Sequence, residues 1–182
     1  FAPITAVASS PNIVVVHPSV EVKTVKELIA LAKARPGHLN YASGSSGSAN
    51  HLAAELFKSA AGVNIVRIPY KGTAAALNDV IAGQVQLMFP AAGSAAAHIK
   101  AGRLKALAVT SARPSALAPN LPTVAASGLP GFEAVALSGM FAPAKTPSAL
   151  INQLNHDIVR LLDTAEIKEK FFLSGVEAVA GT

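Results

Sequence analysis

Short apolar segments alternate regularly with amphipathic helical segments between residues 12 and 110. The β-branched run at residues 12–16 is typical of a strand that is buried on both faces of a parallel sheet. Strands that alternate with helices of this length predict an α/β fold with a parallel sheet and right-handed crossovers. The predicted strands are residues 12–16, 39–42, 65–70, 84–89 and 104–110.

Capping and termination signals delimit the helices between these strands. Thr24 and Glu27 form a capping box ahead of a helix that a Pro-Gly pair ends. The next two helices are predicted at residues 49–60 and 74–82, each followed by a glycine, and a short fourth helix ends near Gly102. The apolar side chains predicted to face inward from the second and third helices are Leu52, Leu56, Leu77, Val80 and Ile81.

The pattern changes after residue 110. Residues 111–122 carry three prolines and predict a surface loop, and residues 131–142 form an extended apolar segment. A Thr-Pro pair then precedes a long amphipathic helix, which is followed by a shorter helix at residues 165–173 and a strand at residues 176–179. The long helix has an apolar face without an evident partner sheet, formed by Leu150, Ile151, Leu154, Ile158, Leu161 and Leu162.

Composition and charge argue against nucleic-acid binding. The net charge is +5 at pH 7, but the fifteen Lys and Arg residues are scattered without a run, and only two Tyr, seven Phe and no Trp are available to stack on bases. The absence of Cys excludes thiol catalysis and disulfides. With 51% hydrophobic and 14% charged residues, the sequence indicates a well-packed globule.

Three loops of small residues follow predicted strands and open predicted helices, at residues 43–48, 71–73 and 90–94. Ligands of α/β sheets bind outside the carboxyl ends of the strands, so we expect these loops to cluster at one edge. Helix N-termini and Ser or Thr hydroxyls there would offer several donors to a carboxylate. The ligand-binding candidates are Ser43, Gly44, Ser45, Ser46, Gly47, Ser48, His51, Lys71, Gly72 and Thr73.

Purely structural roles stay open for some of these residues. Ser48, Thr73 and Ser94 are also compatible with a role as helix N-caps, although residues 43–47 contain more small residues than a cap needs. Lys71 fits a solvated surface charge, and His51 fits a capping or surface histidine as well as a ligand donor.

No motif in the sequence supports catalysis. The five His share no metal-ligand spacing, and the Gly-Ser-Ser-Gly loop matches neither dinucleotide-binding nor P-loop spacing. No pair of acid and base residues stands out among the ten carboxylates. The residues therefore favour a binding module without a catalytic centre, metal or cofactor.

Motifs along nearly the whole chain resemble one family. They lie at residues 10–12, 39–43, 47–48, 51–53, 55–57, 69–72, 82–89, 98–102, 107–110, 122–124 and 128–131. This ordered series is similar to the periplasmic solute receptors of tripartite tricarboxylate transporters, also called Bug-type binding proteins.

The resemblance implies a type II periplasmic-binding-protein, or Venus-flytrap, fold that captures a small organic carboxylate in a cleft. It implies a complete Rossmann-like parallel-sheet domain at residues 12–129, with residues 1–11 and 130–182 as crossover segments and a remnant of the second domain. It also implies a non-enzymatic periplasmic protein that delivers its ligand to membrane permease subunits. Because family members continue beyond both ends of the matching stretch, we expect a shortened chain whose uncovered helix face promotes self-association.

One departure from the family pattern bears on the ligand. Many relatives have an Asp directly after the strand that ends here in Leu-Met-Phe, whereas this chain has Pro90 and Ala91. An acid there can meet the amine of an amino-acid ligand, so its absence favours a plain mono- or dicarboxylate, with Ala91 retained as a ligand-binding candidate. The alternative function is the effector-sensing domain of a cytoplasmic transcription regulator, which can share this architecture.

Overall fold

A computed structural model describes residues 1–181 and divides the chain into two compact units. One unit is residues 11–135, and the other combines residues 1–10 with the chain from Ala136 onward. The strands are β1 (Ala2–Pro11), β2 (Ile13–Val16), β3 (Asn40–Ser43), β4 (Val66–Pro69), β5 (Leu87–Met88), β6 (Lys105–Val109), β7 (Val135–Ala142) and β8 (Glu177–Gly181). The helices are α1 (Val25–Ala34), α2 (Ala49–Ala61), α3 (Thr73–Ile81), α4 (Ala92–Lys100), α5 (Ser148–Leu162) and α6 (Ala165–Leu173).

The unit of residues 11–135 is built on a five-stranded sheet with the order β4-β3-β5-β2-β6. β3 is parallel to β4 and β5, whereas β2 runs antiparallel to β5 and β6. The expectation that β2 belongs to a wholly parallel sheet is therefore wrong. A strand that is buried on both faces has the same apolar run whether it is parallel or antiparallel to its neighbours, so the sequence does not reveal its direction. The other four strands share one direction, so their carboxyl ends lie at the same edge.

Helices cover both faces of this sheet. Val14 and Val16 of β2 are buried in a core with α1 and α2, and the neighbouring Ile13 and Val15 are buried in a second core with α3 and α4. Alternate side chains of a strand point to opposite faces, so β2 contributes to both cores. The result is the doubly wound α/β arrangement that the alternating sequence pattern predicts.

The predicted helix signals are confirmed, but the predicted inner face of α2 is wrong. Thr24 caps α1 by accepting a hydrogen bond from the Glu27 N–H at 3.1 Å. Leu52 and Leu56 are 58% and 43% exposed. The buried side of α2 consists of Asn50, Ala53, Ala54, Phe57 and Ala61. Small alanines let α2 lie close to the sheet, which leaves the bulkier leucines outside.

The second unit contains a three-stranded sheet with the order β7-β1-β8. The sequence pattern did not predict β1, which pairs antiparallel with β8. α5 and α6 both pack against β8, and Asn155 of α5 donates Nδ2–H to the Ile4 carbonyl at 2.7 Å. The partner sheet of α5 was not evident from the sequence because segments distant in sequence form it.

Part of the apolar surface of α5 stays accessible. Leu162 is buried, Ile151, Leu154 and Ile158 are partly buried, and Leu150 and Leu161 are exposed. No helix within residues 1–181 has both the length and the apolar character that a bilayer crossing requires.

Candidate ligand-binding site

The loops that follow β3 and β4 lie side by side at the carboxyl edge of the sheet. Ser43 and Pro69 are register partners at the ends of these strands, and the Tyr70 N–H donates to the Ser43 carbonyl at 2.8 Å. A Cβ placed on Gly44 would lie 3.6 Å from both N and Oγ1 of Thr73. The fold therefore brings the loop of residues 43–48 into contact with the start of α3.

The Arg67 guanidinium on β4 holds the Ser/Gly loop through three hydrogen bonds. Its Nε donates to Ser43 Oγ at 2.8 Å, its Nη1 to Ser46 Oγ at 3.0 Å and its Nη2 to the Gly44 carbonyl at 3.0 Å. A planar guanidinium presents its donors in a rigid fork, so three simultaneous hydrogen bonds fix the path of residues 43–46.

The Asn50 side chain joins the two loops. Its Oδ1 accepts from the Gly44 N–H at 3.2 Å and from Ser48 Oγ at 2.7 Å, and its Nδ2 donates to Thr73 Oγ1 at 3.2 Å. Asn50 is only 6% exposed. A buried amide with three hydrogen bonds in this position holds the loop of residues 43–48 against α3.

The sequence pattern did not single out Arg67 or Asn50. Arg67 could have been noticed as a charged residue inside an otherwise apolar strand, and Asn50 as an amide in the first turn of a helix. Neither signal identifies hydrogen-bond partners distant in sequence.

His51 closes the far side of the Ser/Gly loop. Its Nδ1 accepts a hydrogen bond from the Gly47 N–H at 3.1 Å, so a neutral ring carries its proton on Nε2. Gly47 has φ +80°, a conformation that L side chains rarely adopt. His51 and Gly47 thus shape the loop together, while His51 Nε2 makes no hydrogen bond within residues 1–181.

The predicted site residues differ in accessibility. Ser45, Ser46, Gly47, Lys71 and Thr73 are exposed, Ser48, His51, Gly72 and Ala91 are partly buried, and Ser43 and Gly44 are buried. The Ser43 hydroxyl is occupied by Arg67 and by its own contact with the Gly44 carbonyl, so it supports the loop and does not face solvent.

Three helices begin at this edge, and none has a side-chain cap. α2, α3 and α4 have Ser48, Gly72 and Ala91 as their N-cap residues, without a capping hydrogen bond from any of these side chains. The suggested cap roles of Thr73 and Ser94 are therefore wrong, since both lie within helices. Uncapped helix starts keep N–H groups available for an anion.

The third loop is tied to the start of β2. The Ile13 N–H donates to the Pro90 carbonyl at 2.8 Å, and Asn12 forms an isolated antiparallel bridge with Ala91. The Asn12 N–H donates to Thr110 Oγ1 at 2.8 Å. Ala91 therefore stands at the same edge as the other two loops, where it offers only backbone polar groups.

The charge around these loops is positive. Residues 40–51, 66–75 and 87–96 include Arg67 and Lys71 but contain no Asp or Glu. Glu55, one turn beyond His51, accepts from the Tyr41 hydroxyl at 2.5 Å and from Lys58 Nζ at 2.7 Å. Burial opposes its ionisation, but the hydrogen bonds from Lys58 and Tyr41 outweigh burial and hold the pKa of Glu55 below its usual value.

A separate groove of about 560 Å³ lies at the opposite, amino-terminal edge of β3 and β5. Its lining includes Glu21, Glu27, Arg35, His38 and Gln86, with charges of both signs. None of the predicted ligand-binding residues reaches it. Within residues 1–181 no group of three or more His, Asp or Glu residues could hold a metal ion.

The family of the chain follows from comparison with known proteins. A family model described as the tripartite tricarboxylate transporter family receptor matches residues 1–182. The chain belongs to this family. Protein BugT of Bordetella pertussis is 34% identical over 182 residues, which are 100% of this chain and 56% of BugT. The chain thus spans about half the length of the curated relatives that it matches.

Solved structures of the tricarboxylate-receptor family support the same fold. Rpa4515 of R. palustris, solved with adipate, is 35% identical with a TM-score of 0.87, and the match covers 100% of this chain and 61% of that chain. MatC from Rhodopseudomonas palustris, solved with bound malate, is 26% identical with a TM-score of 0.81 over 97% of this chain and 60% of that chain. The fold is that of a type II periplasmic binding protein, as predicted, with a Rossmann-like domain whose sheet is parallel except for β2 and with part of a second domain.

Proposed function

We propose that this chain is the ligand-binding part of an extracytoplasmic solute receptor for a small organic mono- or dicarboxylate. Members of its family are periplasmic solute-binding receptors. The proposed site is formed by the Ser/Gly loop of residues 43–48 with His51, by Lys71, Gly72 and Thr73, and by the backbone at Ala91. Binding requires no covalent chemistry, so the protein acts without catalysis.

The observation that carries this proposal is the excess of donors over acceptors at the carboxyl edge of the sheet. Uncapped starts of α2 and α3, the hydroxyls of Ser46 and Thr73 and the Lys71 ammonium all lie in these loops. No carboxylate lies in the three loop segments. Such a set stabilises an anion with several oxygen acceptors.

The same feature supports a ligand without an ammonium group. An ammonium requires a carboxylate or several acceptor oxygens, and the loop after β5 offers only Pro90 and Ala91. The adipate of Rpa4515 and the malate of MatC are dicarboxylates without an amine. We therefore propose the same ligand class for this chain.

The receptor delivers its ligand to membrane permease subunits, in keeping with the transporter family to which it belongs. We propose that the working protein acts in the periplasm, as members of its family do. The alternative of a regulator's effector-sensing domain gains no support from these relatives, which are transport receptors.

A thermal-shift comparison of three ligands of equal chain length tests the proposal. Adipate should raise the melting temperature of the 182-residue chain by a few degrees at concentrations far above its Kd, because a ligand held about 100-fold above Kd adds ~2.7 kcal/mol of stability. The neutral 1,6-hexanediol and the cationic 1,6-diaminohexane should produce no shift. A rise in melting temperature with the diamine would contradict carboxylate binding. So would the absence of a rise with adipate, malate and shorter carboxylates alike.

A further inference from the structure

The hydroxyl groups around the site differ in the direction of their hydrogen bonds. A hydroxyl that accepts from a fixed donor keeps its own hydrogen for another partner, whereas one that donates to a fixed acceptor has used it. The structure contains residues of both kinds, and the fixed partners are Asn50 and Arg67. Among the hydroxyls bonded to these two residues, this distinction decides which can donate to a ligand.

The orientation of the Asn50 amide is set by a backbone group. The Gly44 N–H can only donate, so the amide atom that faces it at 3.2 Å must be Oδ1. Nδ2 then points to Thr73 Oγ1 at 3.2 Å and donates to it. Thr73 is exposed and makes no other side-chain hydrogen bond within residues 1–181, so its hydroxyl hydrogen is available to solvent or to a ligand.

The Arg67 guanidinium makes the Ser46 hydroxyl a hydrogen-bond acceptor, as Asn50 does for the Thr73 hydroxyl. A guanidinium has no acceptor, so Ser46 Oγ accepts from Nη1 at 3.0 Å. Ser46 is exposed and has no further side-chain partner among residues 1–181, which leaves its hydroxyl hydrogen free.

Ser43 and Ser48 have the opposite arrangement. Ser48 Oγ donates to Asn50 Oδ1 at 2.7 Å, because an amide oxygen can only accept. Ser43 is fully buried, and its hydroxyl contacts the Gly44 carbonyl and Arg67. Neither hydroxyl has a hydrogen directed out of the loop, although both residues lie in the same Ser/Gly segment.

We infer that Ser46 and Thr73 donate their hydroxyl hydrogens to the ligand carboxylate, and that Arg67 and Asn50 are positioning residues that fix this direction of donation. The inference rests on the proposed function, because it assigns roles within the same site. A free hydroxyl hydrogen requires a hydrogen-bond acceptor on the ligand, which a carboxylate provides and an ammonium does not. Ser48 acts through Asn50 and does not touch the ligand.

Affinities of single variants for adipate test the assignment. Ser46→Ala and Thr73→Val should each weaken binding about tenfold, since each removes a hydrogen bond to a charged group. Thr73→Ser should stay within about twofold of wild type because it keeps the hydroxyl. Ser48→Ala should weaken binding by about twofold to threefold, which is less than for Ser46→Ala, because Asn50 Oδ1 keeps the Gly44 N–H as a partner. Ser59→Ala, on the exposed far end of α2, is the matched control without an effect.

Double-mutant cycles test the positioning roles. In an Arg67→Met background, Ser46→Ala should weaken adipate binding by less than about threefold, since Arg67 no longer holds the Ser46 hydroxyl in place. Asn50→Ala should reduce the effect of Thr73→Val in the same way. Melting temperatures of all variants separate loss of folding from loss of binding.

The possible outcomes separate the two levels of the proposal. If wild type binds adipate but Ser48→Ala weakens binding as much as Ser46→Ala, or Thr73→Val binds like wild type, the donor assignment is overturned while carboxylate binding stands. Fully additive effects in the cycles overturn the positioning roles. If wild type binds no carboxylate, the proposed function itself fails, and the donor assignment fails with it.

Discussion

Two tyrosines of the α/β unit are bound through their hydroxyls to carboxylates on helices. Tyr41 donates to Glu55 Oε1 at 2.5 Å, and Tyr70 donates to Asp79 Oδ2 at 2.7 Å. Burial, followed by the hydrogen bond and charge of Asp79, raises the pKa of Tyr70 to about 12. Burial and Glu55 raise the pKa of Tyr41 further. The first pair ties α2 to β3, and the second ties α3 to the residue that follows β4.

These pKa shifts predict a loss of stability at alkaline pH. Between about pH 10 and the folded-state pKa values, the unfolded chain releases tyrosine protons that the folded chain retains, so the free energy of unfolding falls as pH rises. The sequence has two Tyr and no Trp, so absorbance at 295 nm follows both groups directly. Native protein should show little tyrosinate at pH 11, and Tyr70→Phe should remove the transition near pH 12. A native titration centred near pH 10 would contradict these shifts.

At the scale of elements, α2 connects the core to the site. Its inner side carries Phe57, which is fully buried with its ring centroid 5.4 Å from Phe89 and 6.3 Å from Phe132. Its first turn carries Asn50 and His51, which hold the Ser/Gly loop. Packing of the helix body therefore fixes the position of the groups that shape the loop.

Truncation of the two apolar residues at positions 56 and 57 should have very different effects. Phe57→Ala should lower the free energy of unfolding by about 3–5 kcal/mol, because it removes a fully buried aromatic ring and leaves a cavity. Leu56→Ala should change it by less than about 1 kcal/mol, since Leu56 is 43% exposed and belongs to neither core. Urea unfolding followed by circular dichroism measures both. Similar losses for the two variants would show that the assigned face of α2 is incorrect.

The positions of the helices and strands along the chain could be predicted from the sequence better than the direction of a strand or the buried face of a helix. Thr24, Gly62 and the β-branched run of β2 carry local signals, so the helices and most strands are correctly located. The antiparallel direction of β2 and the outward position of Leu52 depend on tertiary packing, which a periodic pattern does not encode. Asn50 and Arg67 escaped prediction because their partners are distant along the chain.

At the scale of the whole molecule, the accessible apolar surface is unevenly distributed. Eight of the eleven large apolar side chains found exposed among the described residues belong to the unit formed by residues 1–10 and the chain from Ala136 onward. Leu137 and Phe141 of β7 are 67% and 62% exposed and share one face of the strand. The chain covers 54% and 56% of the lengths of the first two curated relatives.

We therefore expect the 182-residue chain to self-associate through the exposed apolar side chains of α5 and β7. Sedimentation velocity should show a weight-average mass that increases with concentration, because large exposed apolar patches associate. The double substitution Leu137→Ser and Phe141→Ser should reduce this increase, whereas Leu52→Ser on α2 should not. A monomer at every concentration would contradict the prediction.

We expect the loops at the carboxyl edge of the α/β sheet to bind a carboxylate, and amide chemical-shift mapping tests this binding most directly. Titration of the ¹⁵N-labelled chain with adipate should produce saturable shifts concentrated at residues 44–51 and 71–75, whereas 1,6-hexanediol should leave those amides unchanged. Saturable shifts confined to the groove around Arg35 and His38, or no saturable shifts at millimolar adipate, would contradict carboxylate binding at these loops.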